Sequence, residues 1–275
     1  MKKSVLVIFA FSLLGFTNAK AQAGDLFITP ARVIFDNSSR SEELTLANIG
    51  KDTATYSISF LQYNMTEAGG FVLASKSDTG TMYADPFLRV FPRKVTIPPN
   101  ESQVVRLEFH KKSGIKDGEY RSHLYFRSEH NYDPRGEEKL ADTTKMAVKL
   151  IPIYGVSIPI IVRSGKLSST ASINDAKIET PVNDSIPVLK MVINRTGNSS
   201  VYGNLLVKFE PVGEKPFEIG VMNGVGVYCN INKRNISMKL QKAKGLKMQK
   251  GKITVTYTNK EGEKGNVLAE QKIDL

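Results

Sequence analysis

The chain has 275 residues and carries 38 Lys and Arg against 27 Asp and Glu, a formal net charge of +11. Hydrophobic residues make up 41% and charged residues 24%, which describes globular material with enough apolar surface for two domains and excludes a disordered or multi-span membrane chain. A single cysteine, Cys229, allows no intramolecular disulfide, and His110, His123 and His130 lack the H-x-x-x-H spacing of a zinc helix.

Residues 1–23 read as an export signal. Lys2 and Lys3 precede an apolar stretch from Val5 to Phe16 that is too short to cross a bilayer comfortably, and small residues from Ala19 to Ala23 end it. No cysteine follows the apolar run, so no lipid attachment is expected there. Removing the segment takes Lys2, Lys3 and Lys20 and leaves an exported, basic chain. A basic balance suits nucleic acid, an anionic membrane or an acidic protein surface. Lys and Arg lie singly along the chain except in Lys239 to Lys252, and that segment lacks the aromatic interleaving of single-strand binders. It reads as a solvated hairpin rim, so neither nucleic-acid binding nor stable membrane insertion is expected.

Period-2 alternation dominates the chain beyond the export signal, and helical periodicity is nearly absent. Leu44, Leu46 and Asn48 alternate with polar residues, and Tyr56, Ile58, Phe60 and Tyr63 continue the pattern. Val105, Leu107 and Phe109 interleave with Val104, Arg106 and Glu108, and Tyr120 to Arg127 reads as a further strand, with His123 in an outward polar stripe. Turn residues separate these runs at Asn48 to Asp52, Gly69-Gly70, Pro98 to Asn100 and Lys116 to Gly118. Lys145 to Arg163 is long enough to span a membrane, but Pro152, Gly155 and Pro159 would break a helix and Lys149 would lie inside it. It is expected to be a long Val/Ile-rich strand, and its prolines point to a sheet edge.

A polar linker follows Arg163, and alternation resumes. Further strands are expected at Ala171 to Ile178, Val188 to Asn194, Gly203 to Phe209, Gly226 to Ile231, Asn235 to Leu240, Lys252 to Thr258 and Asn266 to Leu275. About seven short strands in a stretch of this length suit a second sandwich. The fold class is all-β, two immunoglobulin-like β-sandwich domains in tandem, with boundaries at 24–165 and 166–275. No G-x-S-x-G, Walker or dinucleotide glycine fingerprint is present, and Glu42-Glu43 and Glu137-Glu138 read as solvated turn charges. No catalytic residue, cofactor or metal is expected, and Cys229 reads as a small buried hydrophobe.

Several segments resemble the PapD-like periplasmic chaperones of the chaperone–usher pathway. Phe27 to Phe35 is similar to the first strand of that family, with Arg32 just before an apolar triplet, and Leu44 to Asn48 is similar to its second. Phe91 to Arg106 resembles the family run P-R-x-x-x-L-x-P-G-x-x-Q-x-x-R, with Pro99-Asn100 where Pro-Gly is usual. Glu119 to Leu124 and Val156 to Arg163 complete a likeness covering residues 25 to 165, while the later part matches in size, linker and strand pattern alone.

The resemblance implies a periplasmic, non-enzymatic chaperone. Such a protein lends its edge G strand to a pilus or fimbrial subunit that lacks a strand of its own, then delivers it to an outer-membrane usher. On this chain Met146, Val148 and Leu150 form the donor parity, and the polar residues Glu129 to Thr144 lead into it. The family also holds the subunit's terminal carboxylate between an arginine and a lysine. The arginine carries over to Arg32, whereas the lysine position is Ser157, so either Arg32 anchors the carboxylate with Ser157 and backbone donors, or Arg121 or Arg127 on the preceding strand substitutes for the lysine. The alternative function is an immunoglobulin-like structural or adhesive protein of the cell surface.

Overall fold

The computed structural model describes residues 25–36, 38–75, 81–111, 113–129, 153–180, 186–240, 243, 250–260 and 265–275. The export signal, most of the Lys239 to Lys252 segment, and Met146, Val148 and Leu150 lie outside these residues.

The first sandwich opens with β1 (Leu26–Thr29), β2 (Val33–Phe35), β3 (Ser41–Asn48) and β4 (Ala54–Leu61). A small hairpin comes next, β5 (Tyr63–Met65) and β6 (Phe71–Leu73), and then β7 (Leu88–Phe91), β8 (Lys94–Ile97) and β9 (Ser102–Phe109). Two long strands complete it, β10 (Gly118–Glu129) and β11 (Gly155–Ser164). One sheet has the order β1-β3-β9-β7 and the other β2-β11-β10-β4-β8. The alternation in the sequence is what closes them on each other. Leu44, Leu46, Val105 and Leu107 point inward from one sheet to meet Phe126, Leu124, Ile160 and Val162 from the other. Asn48 shares the inward parity and is buried without penalty, because its amide donates to the carbonyls of Asp52 and Ile97 and accepts from the Gly50 N–H.

Two expectations need correction here. Phe27 to Phe35 is not one strand: the chain leaves the first sheet after Thr29 and joins the second at Val33. Phe91 to Ile97 crosses in the same direction, from β7 to β8. Both crossings carry a cis X-Pro bond, at Thr29-Pro30 and Phe91-Pro92. The proline of β11, Pro159, also does not make the whole strand an edge. Its Ile160, Ile161 and Val162 pair in parallel with Val33, Ile34 and Phe35, while Gly155 to Pro159 pair with β10 alone among the described residues. Pro159, which has no N–H to donate, is the last residue of that open half.

The second sandwich contains β12 (Ser169–Glu179), β13 (Val188–Gly197), β14 (Val201–Pro211), β15 (Phe217–Val227), β16 (Lys233–Lys239), β17 (Gly251–Asn259) and β18 (Val267–Asp274). They form sheets of order β12-β13-β16 and β15-β14-β17-β18 around Leu189, Ile193, Leu205, Val207, Val255 and Tyr257. β15 begins well before the expected Gly226 to Ile231 and ends before it does. Its register against β14 shifts beside Met222 and Val225, and the intervening Gly224 takes a positive φ of 70°. A bulge glycine of this kind hides a strand from a reading based on alternation.

Candidate binding cleft

Odd-numbered residues of β10 and β11 point away from the first core, and Glu119 and Arg121 among them meet the second sandwich. Ile161 is fully buried there although it belongs to no cluster within its own sandwich. Glu119 and Arg163, directly opposite in the β10–β11 ladder, form a buried ion pair with Nε 3.1 Å from Oε2. The same carboxylate oxygen accepts from the Ser200 N–H at 3.3 Å, and the Glu119 N–H donates to the Asn198 carbonyl at 3.0 Å. On the other side the β5–β6 hairpin reaches across: the Asn230 amide donates to the Met65 carbonyl at 2.8 Å, and the Asn235 N–H donates to the Glu67 carbonyl at 2.7 Å.

Between these two seams lies a stack of cations and aromatic rings. Arg32, in the loop just before β2, lies with Cζ 4.3 Å from the Tyr202 ring centre and donates from Nη1 to the Tyr228 hydroxyl at 3.3 Å. Arg121 covers the same tyrosine, with Cζ 3.2 Å from its ring centre and 5.4 Å from that of Phe71. Guanidinium faces are attracted to ring faces, which accounts for Arg32 lying on Tyr202 and Arg121 on Tyr228, while Phe71 packs on Tyr228 itself with ring centres 6.0 Å apart. Burial, opposed in part by Tyr228, pushes the Arg121 pKa below its ordinary value.

His123 completes the cluster. It has the outward parity expected of it, but it is only 5% exposed, because Tyr63 and Phe71 of the hairpin meet it edge-on at 5.0 and 5.8 Å. That is a correction: the stripe is outward from its own sheet but covered by a hairpin and a second domain. Burial, with the Arg121 charge beside it, lowers the His123 pKa to about 3. Arg121 Nη2 lies 3.3 Å from His123 Nε2. A guanidinium only donates, so Nε2 accepts and the ring proton belongs on Nδ1. That nitrogen, and Nε and Nη1 of Arg121, are buried with no hydrogen-bond partner among the described residues.

The expected site residues fare differently. Arg32 and Arg121 are brought together at Tyr228, the first at its hydroxyl and the second on its ring face. Ser157 is exposed on β11 and lines the same cavity of about 310 Å³ as Arg121, Tyr63 and Phe71. Arg127 is exposed and six residues further along β10, roughly 20 Å from Arg121, and has no place in the cleft. Tyr228, Tyr202 and Phe71 are additions that the sequence reading does not contain. The apolar Phe71 to Leu73 after Gly69-Gly70 is a signal for a hairpin, but nothing local marks either tyrosine. Cys229 is half-buried in the turn after β15, and its thiol is pushed up to about 12 by burial and the nearby Glu119 charge.

No protein-family model matches the chain, and no curated protein matches it in sequence. Among solved structures the chain is similar to the YadV chaperone, at 12% identity over 91% of this chain and 100% of that one, with a TM-score of 0.43. It is similar to the class 5 fimbriae chaperone CfaA at 17% identity, over 90% of this chain and 98% of that one, with a TM-score of 0.42. It is also similar to a chain of the CsuC–CsuE chaperone–tip adhesion subunit pre-assembly complex from the archaic chaperone-usher Csu pili of Acinetobacter baumannii. There the identity is 12%, over 90% of this chain and 97% of that one, with a TM-score of 0.45.

Proposed function

We propose that the chain is a periplasmic chaperone that holds incomplete pilus or fimbrial subunits by strand addition and passes them to an outer-membrane usher. In this reading residues 1–23 direct export, 24–165 and 166–275 are the two domains, and neither has a catalytic role. The observation that carries it is the half-open edge of β11. A segment laid on Gly155 to Pro159 and running parallel to β11 must stop where β2 begins at Val33, and the residue before Val33 is Arg32. A terminal carboxylate at that point meets a guanidinium, a charge-assisted contact of the stronger kind. Arg121 supplies the second cation in place of a residue at Ser157, which carries no charge.

Met146, Val148 and Leu150 share the even parity of Ile158, Ile160 and Val162, the core side of β11. Continued along the strand, that parity would offer apolar side chains to a subunit with an open core. Each filled pocket contributes roughly 1.5–3 kcal/mol before the cost of ordering the strand. Pull-down of the tagged mature protein from periplasmic extract tests the reading. A one-to-one complex with a small exported β-rich subunit is expected for the wild type, and its loss in both Arg32→Ala and Leu150→Asp. Full recovery by both variants would overturn it, and no subunit at all, with the protein found on the cell exterior, would favour the surface-adhesion alternative.

A further inference from the structure

Beside the two guanidiniums the cleft is not flat. Ser157 is a short side chain on an exposed stretch of β11, and above it opens a cavity of about 310 Å³. Its walls are mostly aromatic: Tyr63 and Phe71 from the hairpin, Tyr228 from the second sandwich, the neutral His123 ring from β10, and Pro159 from β11. Arg121 forms one side, and Tyr228 both lines the cavity and receives the Arg32 hydrogen bond. The space therefore adjoins the place where a partner's chain end would meet Arg32 and Arg121.

A cavity of this composition suits one large apolar side chain next to a negative charge. We infer that the cleft recognises the last residue of its partner, taking a free carboxylate at Arg32 and Arg121 and an aromatic or large aliphatic side chain in the cavity above Ser157. The inference rests on the chaperone reading and adds to it the identity of the terminal residue. Three features support it together. Tyr63, Phe71 and Tyr228 give the side chain an aromatic wall, in which Phe71 and Tyr228 pack on each other with ring centres 6.0 Å apart. The terminal carboxylate occupies the guanidiniums, so selection of the side chain falls to the apolar walls. The small Ser157 leaves the floor open, and a larger residue there would occupy it.

The test uses the mature protein and three synthetic peptides with one alternating Val/Thr sequence, ending in Phe with a free carboxylate, in Ala with a free carboxylate, and in Phe amide. Calorimetric titration should find the Phe acid roughly tenfold or more tighter than the Ala acid, and the Phe amide weakened by a similar factor. Ser157→Leu should bring the Phe acid down to the affinity of the Ala acid. Equal affinities for the Phe and Ala acids would overturn the inference and leave the chaperone reading standing. Equal affinities for the Phe acid and the Phe amide would overturn it as well. Binding by none of the peptides would overturn the strand-addition reading and the inference with it.

Discussion

Arg195 and Arg121 are both arginines withdrawn from water at the junction of the two sandwiches, and they are treated in opposite ways. Arg195, 4% exposed, has every guanidinium nitrogen engaged. Its Nε donates to the Ile231 carbonyl, Nη1 to those of Gly197 and Ser199 at 2.8 and 2.9 Å, and Nη2 to the Asn232 side chain at 3.2 Å. It ties together the two loops that carry Asn198, Ser200 and Asn230, the residues that touch the first sandwich. Arg121 is packed on the face of Tyr228 beside Phe71, hydrogen-bonds a histidine through one nitrogen, and has two nitrogens without an acceptor among the described residues. Carbonyls that surround a cation on every side hold a fold together. A cation held by ring faces, with donors left over, suits a ligand that brings its own acceptor.

Truncating each arginine should separate these roles. Arg195→Met removes a set of charged hydrogen bonds and leaves their carbonyls buried, and should cost about 3–5 kcal/mol of unfolding free energy, read from urea denaturation. Arg121→Met should leave stability within about 1 kcal/mol, because the ring contacts it loses are offset by relief of an under-paired buried charge. It should nonetheless weaken carboxylate-ended peptides roughly tenfold or more in the same titration. Equal stability losses in the two variants would erase the distinction.

A smaller effect concerns His123. Its folded pKa of about 3 lies below its ordinary 6.5, so the unfolded chain takes up this proton first as the pH falls. Stability is intact above about pH 6.5 and should decline below it at up to about 1.4 kcal/mol per pH unit, reaching about 2 kcal/mol by pH 5. His123→Gln should flatten that slope in denaturation curves run from pH 7 to pH 5. An unchanged slope would show that the ring finds a protonated state inside the fold.

The sandwich architecture was legible because each strand with a buried face writes a period of two into the chain, and the Leu44 to Asn48 and Val105 to Phe109 faces pointed inward as the pattern required. What alternation does not encode is a strand that changes sheets. Thr29 and Val33 lie on one apolar run yet pair with different partners, and that depends on twist and closure of the whole sandwich. Arg32, Arg121 and Arg127 were legible as cations, and parity does not separate the last two. That Arg121 and not Arg127 reaches the cleft comes from how far the second sandwich overlaps β10, which no local residue specifies. His123 shows the same limit: its face was correct, but exposure depends on a hairpin and on Tyr228 more than a hundred positions away.

The β5–β6 hairpin belongs to the first sandwich by chain and to the second by contact. A two-stranded ribbon is marginal on its own, and the partners that fix this one, Asn230 and Asn235, are near the end of the sequence. The cleft therefore has a place in time as well as in space. While the chain emerges in order, β10 and β11 can pair as soon as both are available, but the cleft stays unwalled until Tyr228 and its neighbours arrive and fold. If the proposed function holds, competence to hold a partner should thus appear late in biogenesis, once the second sandwich has folded against the hairpin.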